Sequence, residues 1–188
     1  MLGPEVWIGA LVILALIVVG WTVSIYNGLI RERNLVEEAW SGIDVQLKRR
    51  HDLIPNVVES VRGYMQHERG LLEEIANSRA RAVGSRTVGE TSQAEGELSR
   101  TLRTLFAVAE AYPDLKASQG FLDLQNTLAE IEEQIQMARR YYNGTVRDFN
   151  IRVESFPSAL VAQAFGFQPR EFFEIEAAVD RQVPTVQI

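Results

Sequence analysis

The feature that most constrains this chain is an uncharged stretch near its start. Residues 6–30 contain no Asp, Glu, Lys, Arg or His, and the centre of the stretch, residues 7–26, is almost wholly apolar. A bilayer's hydrocarbon core is about 30 Å thick and takes roughly 20 helical residues to cross. The stretch therefore predicts a single transmembrane helix over 6–30, preceded by a short tail at 1–5.

Aromatic residues stand near both ends of the predicted span, where membrane interfaces favour amphipathic rings: Trp7 at one end, and Trp21 with Tyr26 at the other. A cleaved signal peptide would carry a positive n-region and about 7 to 15 apolar residues. Here Glu5 is the only charged residue before the stretch, and the stretch is longer. A core helix of a soluble protein would need protein on all sides. An uncleaved anchor that contacts the lipid bilayer is the prediction.

The charges that flank the span predict its orientation. The N-terminal tail has no Lys or Arg, whereas Arg31 and Arg33 follow the span closely. By the positive-inside tendency, the N-terminus lies outside and the C-terminal domain lies in the cytoplasm. The chain has no cysteine, which agrees with a reducing compartment. Its net charge of −6 argues against a face that binds nucleic acid.

Apolar residues recur every three or four positions after the span, which predicts a helix over about 31–82. Pro55 interrupts it. The apolar phase continues through Pro55 and there is no glycine nearby, which favours a kinked helix. The basic residues 48–50 favour a break instead, with a second helix capped by Asp52. We favour the kink.

Three further segments complete the predicted helical domain over 31–156. Residues 84–91 form a surface loop, and Ser92 with Glu95 fits a capping box for a helix over 92–112. A short connection at Pro113 leads to a long helix over 118–156, whose apolar residues repeat in steps of three and four. Helices with one apolar stripe must bury it against each other, so the predicted fold is all-α, an antiparallel four-helix bundle.

The last segment, 157–188, differs from the rest because it is rich in apolar and aromatic residues. Pro157 ends the long helix, and a short helix from Ser158 to Phe165, closed by Gly166, precedes a loose tail. The segment either caps one end of the bundle or forms an apolar contact surface for the bilayer or a neighbouring subunit. The aromatic residues concerned are Phe165, Phe167, Phe172 and Phe173.

The chain has no motif that indicates catalysis. It has two histidines and no cysteine, and it lacks G-x-S-x-G, P-loop and H-E-x-x-H patterns. Its adjacent acidic and histidine pairs point to different helix faces, which is typical of solvated surface. We therefore expect no catalytic residues, no cofactor and no metal site.

The chain resembles the LemA family of bacterial membrane-anchored proteins. The resemblance lies in the stretch from Tyr26-Asn27 through Arg33-Asn34-Leu35-Val36 and Ala39-Trp40-Ser41-Gly42 to Glu59. It continues in Gly63-Tyr64, Tyr112-Pro113-Asp114-Leu115-Lys116-Ala117, Arg139-Arg140-Tyr141-Tyr142-Asn143, Phe156-Pro157, Phe165-Gly166-Phe167 and Phe172-Phe173. It implies a short outward-facing N-terminus, one span in the bacterial inner membrane and a cytoplasmic four-helix domain. The family includes a magnetosome-associated branch, which nothing in this sequence singles out. It has no agreed molecular activity, so no catalytic residues carry over.

Three functions remain open at this point. The first is a membrane-anchored scaffold that self-associates into a homo-oligomer through its helical domain. The second is an adaptor or regulator that docks a membrane enzyme such as a protease, and the third is an undetected hydrolase. The combination of one anchor, long striped helices and no catalytic set favours the scaffold.

The polar residues around Pro55 are the candidate interaction surface, together with the four aromatic residues of the last segment. Arg50 falls in register with the apolar stripe between Leu47 and Ile54. A charge there must be paired inside the protein or lie at an interface with a partner. We favour an internal ion pair with an acidic residue of the long helix. The polar candidates are Asp44, Gln46, Lys48, Arg49, Arg50 and Asp52.

Overall fold

The computed structural model describes residues 4–174, with side chains from Trp7 onward. Helices account for most of this part of the chain, and it contains no strand, which confirms the all-α prediction. The helices are α1 (Pro4–Arg62), α2 (Arg69–Gly84), α3 (Val88–Ala109), α4 (Pro113–Lys116), α5 (Gln119–Glu154) and α6 (Ser158–Ala164).

The N-terminal third of α1 is the apolar stretch. Its most apolar 18-residue window has a mean hydropathy of 2.6, and none of that window is buried against protein. A soluble core helix with this composition would be covered by other elements. Helix α1 is therefore long and apolar enough to cross a membrane, and its apolar surface is not covered by the described part of the chain.

Helix α1 runs unbroken through Pro55, so a break near Arg50 is excluded. Proline removes one backbone donor, but buried Ile54 and Val57 hold the helix in the core on either side. The predicted continuation to residue 82 is wrong, because α1 ends at Arg62 and α2 begins at Arg69, after six intervening residues. Met65 in the turn between them is fully buried and continues the three-and-four spacing of apolar residues. The sequence pattern therefore gives no sign that the helix ends.

The chain divides into two compact units, and both α1 and α5 run through the two. Unit 1 contains the chain up to Trp40 together with Asn143–Arg170, and unit 2 contains Ser41–Tyr142 together with the chain from Glu171. Each unit is described on its own below.

Unit 2 is a bundle of four helix segments around one apolar core. Two side-chain hydrogen bonds give the relative direction of α2 and α3. Arg81 near the end of α2 bonds Glu97 of α3, whereas Glu68 just before α2 bonds Tyr112 just after α3. These two helices are therefore antiparallel. The core residues come from α1, α2, α3, α4 and α5 and from the turn between α1 and α2, and they include Ile54, Val57, Val61, Met65, Ile75, Leu98, Leu102, Leu105, Leu115, Phe121 and Leu128.

Helix α3 begins four residues earlier than the sequence suggests. Thr87 caps it, with a reciprocal capping box between Thr87 and Glu90. The capping box predicted at Ser92 is wrong, since Ser92 and Glu95 are both buried within the helix. Both positions fit the S/T-x-x-E pattern, and the earlier one adds a turn that places Glu95 inside the bundle.

Unit 1 packs the part of α1 that follows the apolar stretch against the end of α5 and against α6. Its buried side chains include Leu29 and Val36 of α1, Phe149 of α5 and Val161 of α6. Gly166 follows α6 with a φ of 73°, a left-handed conformation that glycine adopts at little cost.

Candidate interaction site

Arg50 lies at the centre of unit 2 and is completely buried. Its guanidinium donates to the carboxylate of Glu95 on α3, to Oε1 of Glu132 on α5 at 2.5 Å, and to Oγ of Ser99 at 2.8 Å. Glu95 is fully buried and Glu132 keeps about a third of its side chain exposed. Arg50 therefore links three helices of the bundle through charged hydrogen bonds.

The sequence favours an internal ion pair between Arg50 and an acidic residue of the long helix, and in the structure that residue is Glu132. The sequence did not predict the second partner, Glu95, because its capping pattern placed Glu95 in a helix cap. Since Arg50 has no exposed surface, it does not belong to the candidate surface in this conformation.

His51 extends the buried network. Its Nε2 lies 2.6 Å from Oε1 of Glu95, and its backbone carbonyl accepts a hydrogen bond from Arg79 Nε at 2.6 Å. Burial, together with the charges of Arg50 and Arg79, lowers the pKa of His51 to about 4, and the charges of Asp52 and Asp44 partly oppose this shift. His51 is neutral at pH 7 and donates to a carboxylate whose charge Arg50 already balances.

The other polar candidates remain on the surface of α1. Asp44, Lys48, Arg49 and Asp52 are exposed, whereas Gln46 is partly buried and accepts a hydrogen bond from Arg49 at 3.0 Å. Residues three and four apart share a helix face, so this set groups with Val45, which is 56% exposed. We call Asp44, Val45, Lys48, Arg49 and Asp52 the α1 face.

A groove of about 1020 Å³ lies between α3 and α5, and residues 171–174 close one end of it. Leu102 and Leu128 form a buried apolar floor, and Phe106 lies beside them. Three carboxylates (Glu132, Glu171 and Glu174) and two guanidinium groups (Arg100 and Arg103) also line it. We call this the α3–α5 groove. Its floor suits apolar side chains of a partner helix, and Glu171 and Glu174 at its closed end suit cationic ones.

The closed end of the groove is fixed by hydrogen bonds to the backbone. Tyr142 Oη donates to the carbonyl of Glu171 at 2.9 Å, and Ser92 Oγ donates to the carbonyl of Glu174. Phe173 is fully buried here, whereas Phe172 lines the groove and is 44% exposed. Phe173 therefore holds the segment in place and Phe172 is available for contact.

Phe165 and Phe167 belong to unit 1. Phe167 is buried against Phe149, with ring centroids 6.4 Å apart, and Phe165 lies 4.8 Å from the ring of Tyr26 and is mostly exposed. The four aromatic candidates therefore do not form one cluster. Two of them are buried, and the two exposed ones lie in different units.

The α3–α5 groove is the site that sequence reasoning missed. Its lining residues follow a three-and-four spacing along α3, as in Ser92, Gly96, Ser99 and Arg103. The small residues in that series are the available signal, since small side chains on one face leave space beside a neighbouring helix. Within residues 4–174, no group of His, Asp and Glu side chains is arranged to hold a metal ion.

Comparison with known proteins settles the family. The model described as the LemA family matches residues 39–188, which include most of α1 beyond the apolar stretch and all of unit 2. The chain belongs to the LemA family.

The chain is similar to curated relatives whose names state no catalytic activity. It is 30% identical over 139 residues to Protein LemA of Metamycoplasma hominis, a match that covers 73% of this chain and 63% of that protein. It is 22% identical to Magnetosome protein MamQ 2 of Paramagnetospirillum magneticum and 21% identical to MamQ of Magnetospirillum gryphiswaldense. Each of these two matches covers 87% of this chain and 70% of the relative. The chain thus spans less than two thirds of the M. hominis protein. The family and its MamQ relatives indicate a membrane-associated helical protein.

Proposed function

We propose that this protein is a non-catalytic, membrane-anchored assembly protein that self-associates through unit 2. The first part of α1 spans the bacterial inner membrane, with the N-terminus outside and the helical domain in the cytoplasm. The observation that carries the proposal is the α3–α5 groove, an open cleft with an apolar floor and an acidic end.

The occupant that we assign to the groove is the α1 face of a second copy. That face presents Val45 beside the cationic side chains of Lys48 and Arg49, and it also carries the carboxylates of Asp44 and Asp52. The groove presents apolar Phe172 beside Glu171 and carries Arg100 and Arg103 on α3, so Val45 can meet Phe172 and charges of both signs can pair across the contact. Electrostatic complementarity of this kind sets the register of an interface.

The geometry of such a contact determines the kind of assembly. The groove and the α1 face are different surfaces of the same unit, so the contact is heterologous and each copy can bind two neighbours. An anchor confines all copies to the membrane plane, which raises their effective concentration. Weak lateral contacts then suffice to form rings or rows of copies.

Charge reversal with rescue tests this proposal. The full-length chain has no cysteine, so Val83→Cys, at an exposed position of α2, accepts a donor or an acceptor dye. Energy transfer between labelled copies in lipid vesicles reports association. We expect Glu171→Lys to lower the transfer, Lys48→Glu with Arg49→Glu to lower it as well, and a mixture of the two variants to restore it.

The matched control is Glu130→Lys, which makes the same charge change on α5 outside the groove lining. It should leave the transfer unchanged. Equal loss in the control, or no rescue in the mixture, would contradict the assigned contact. Crosslinking in cells that yields one reproducible foreign protein and no self-adducts would favour the adaptor function instead.

A further inference from the structure

Three exposed apolar side chains surround the turn that joins α5 to α6 in unit 1. Phe156 is 82% exposed, Leu160 is 61% exposed and Phe165 is 57% exposed. Their neighbours Val153, Val161 and Ala162 are buried, so the turn already has its own core and these three side chains point away from it. An apolar patch of this kind marks a contact surface.

The patch lies within a second uncharged stretch of the chain. Residues 155–169 contain no Asp, Glu, Lys, Arg or His, although charged residues flank the stretch directly at Glu154 and Arg170. A solvated turn at a helix end ordinarily carries charged residues, because loops run over the protein surface in contact with water. Residues 155–169 therefore carry no charge that would oppose entry into an apolar medium.

Contacts within unit 1 show which residues of α1 lie beside this turn. Arg152 Nη1 lies 2.5 Å from Oε1 of Glu32, and the Arg152 guanidinium covers the Cα of Gly28 so closely that a Cβ there would overlap it. Phe156 follows Arg152 by four residues and lies in the turn just beyond the end of α5. The ring of Phe165 contacts Tyr26, the last residue of the apolar part of α1.

These contacts place the exposed patch beside the end of the predicted membrane span. We propose that the α5–α6 turn, through Phe156, Leu160 and Phe165, inserts into the phospholipid leaflet that faces the helical domain. The occupant is the boundary between headgroups and acyl chains, where aromatic and aliphatic side chains on an uncharged segment are favourably buried. The patch continues the lipid-facing surface of α1 through the Tyr26–Phe165 contact.

The consequence is a second membrane attachment for one chain. A single span allows a domain to tilt and rotate, whereas a span and an inserted turn together define its orientation relative to the bilayer. The proposal rests on the membrane-anchoring part of the proposed function and is independent of self-association.

Spin labels on single cysteines test the insertion in the full-length chain, reconstituted at one copy per phospholipid nanodisc. Leu160→Cys and Phe156→Cys carry the test labels. Leu16→Cys, exposed on the span, is the control for lipid, and Val83→Cys, exposed on α2, is the control for water. Collision with oxygen reports acyl chains, and collision with a water-soluble nickel chelate reports solvent.

The labels at 156 and 160 should show several-fold more oxygen collision and several-fold less nickel collision than the label at 83. Nickel collision equal to that at 83 would overturn the proposal. Protection from both reagents would also overturn it, because protein would then cover the turn. Failure of the label at 16 to report lipid would refute the anchor itself, which separates that outcome from a failure of the turn. Circular dichroism of each labelled chain confirms the helical fold.

Discussion

Replacing Arg50 by Met should destabilise unit 2 severely. The substitution keeps much of the side-chain volume but leaves the fully buried Glu95 carboxylate without its cationic partner. Removing one partner of a buried ion pair typically costs about 3–5 kcal/mol, because an uncompensated charge remains in the interior. Glu132 contributes less to that cost, since a third of its side chain reaches solvent.

The cost should be recovered when the uncompensated charge is also removed. Arg50→Met with Glu95→Leu replaces the pair by apolar groups, and such replacements are often neutral or stabilising. We expect the double variant to be within about 1–2 kcal/mol of the wild type. The exposed Lys48→Met removes the same charge from the same helix and should change stability by less than about 0.5 kcal/mol.

Urea unfolding of the full-length chain in detergent micelles, followed by circular dichroism, measures these differences. Typical domain stabilities of about 5–15 kcal/mol leave the single variant folded at low urea. A loss below about 1 kcal/mol for Arg50→Met, or no recovery on adding Glu95→Leu, would refute the reasoning that the buried charges are mutually dependent.

Three further predictions concern stability, each measured by the same urea titration. Because the pKa of His51 is about 4 when folded and 6.5 when unfolded, the unfolded chain binds the extra proton, and stability should fall by about 2 kcal/mol from pH 7.5 to pH 5. His51→Gln should remove that fall, whereas the exposed His67→Gln should not. Thr87→Ala removes the cap of α3 and should cost about 1 kcal/mol, a loss that would be absent if α3 began at Ser92. Gly42→Ala should stabilise α1 by about 0.5–1 kcal/mol, since nothing lies within 4 Å of a Cβ there; destabilisation would show a hidden contact.

The helical class and the apolar N-terminal helix follow from residue type and spacing alone, because burial of an apolar stripe and insertion in a bilayer depend on composition. Helix ends depend on competition between neighbouring signals. The turn after Arg62 preserves the apolar phase through Met65, and two capping patterns five residues apart compete at the start of α3. In both cases tertiary packing selects one of several locally acceptable solutions.

The candidate interaction site was predictable only in part. The register of Arg50 within the apolar stripe requires a partner, and a carboxylate of the long helix supplies one. Predicting the groove would require the distance between α3 and α5 and the place where residues 171–174 return to the bundle. The spacing of apolar residues in the sequence contains neither. The exposure of Phe172 and the burial of Phe173 likewise depend on that return.

Disulfide formation between copies in the membrane is the most direct test of assembly through the α1 face and the α3–α5 groove. Val45→Cys lies on the α1 face, and Gln93→Cys lies on the groove lining. A full-length chain carrying both cysteines should form a ladder of crosslinked multimers on mild oxidation, and a mixture of the two single variants should form the mixed dimer. Monomer under all conditions, or a dimer joined only through residue 45 of both copies, would contradict this account.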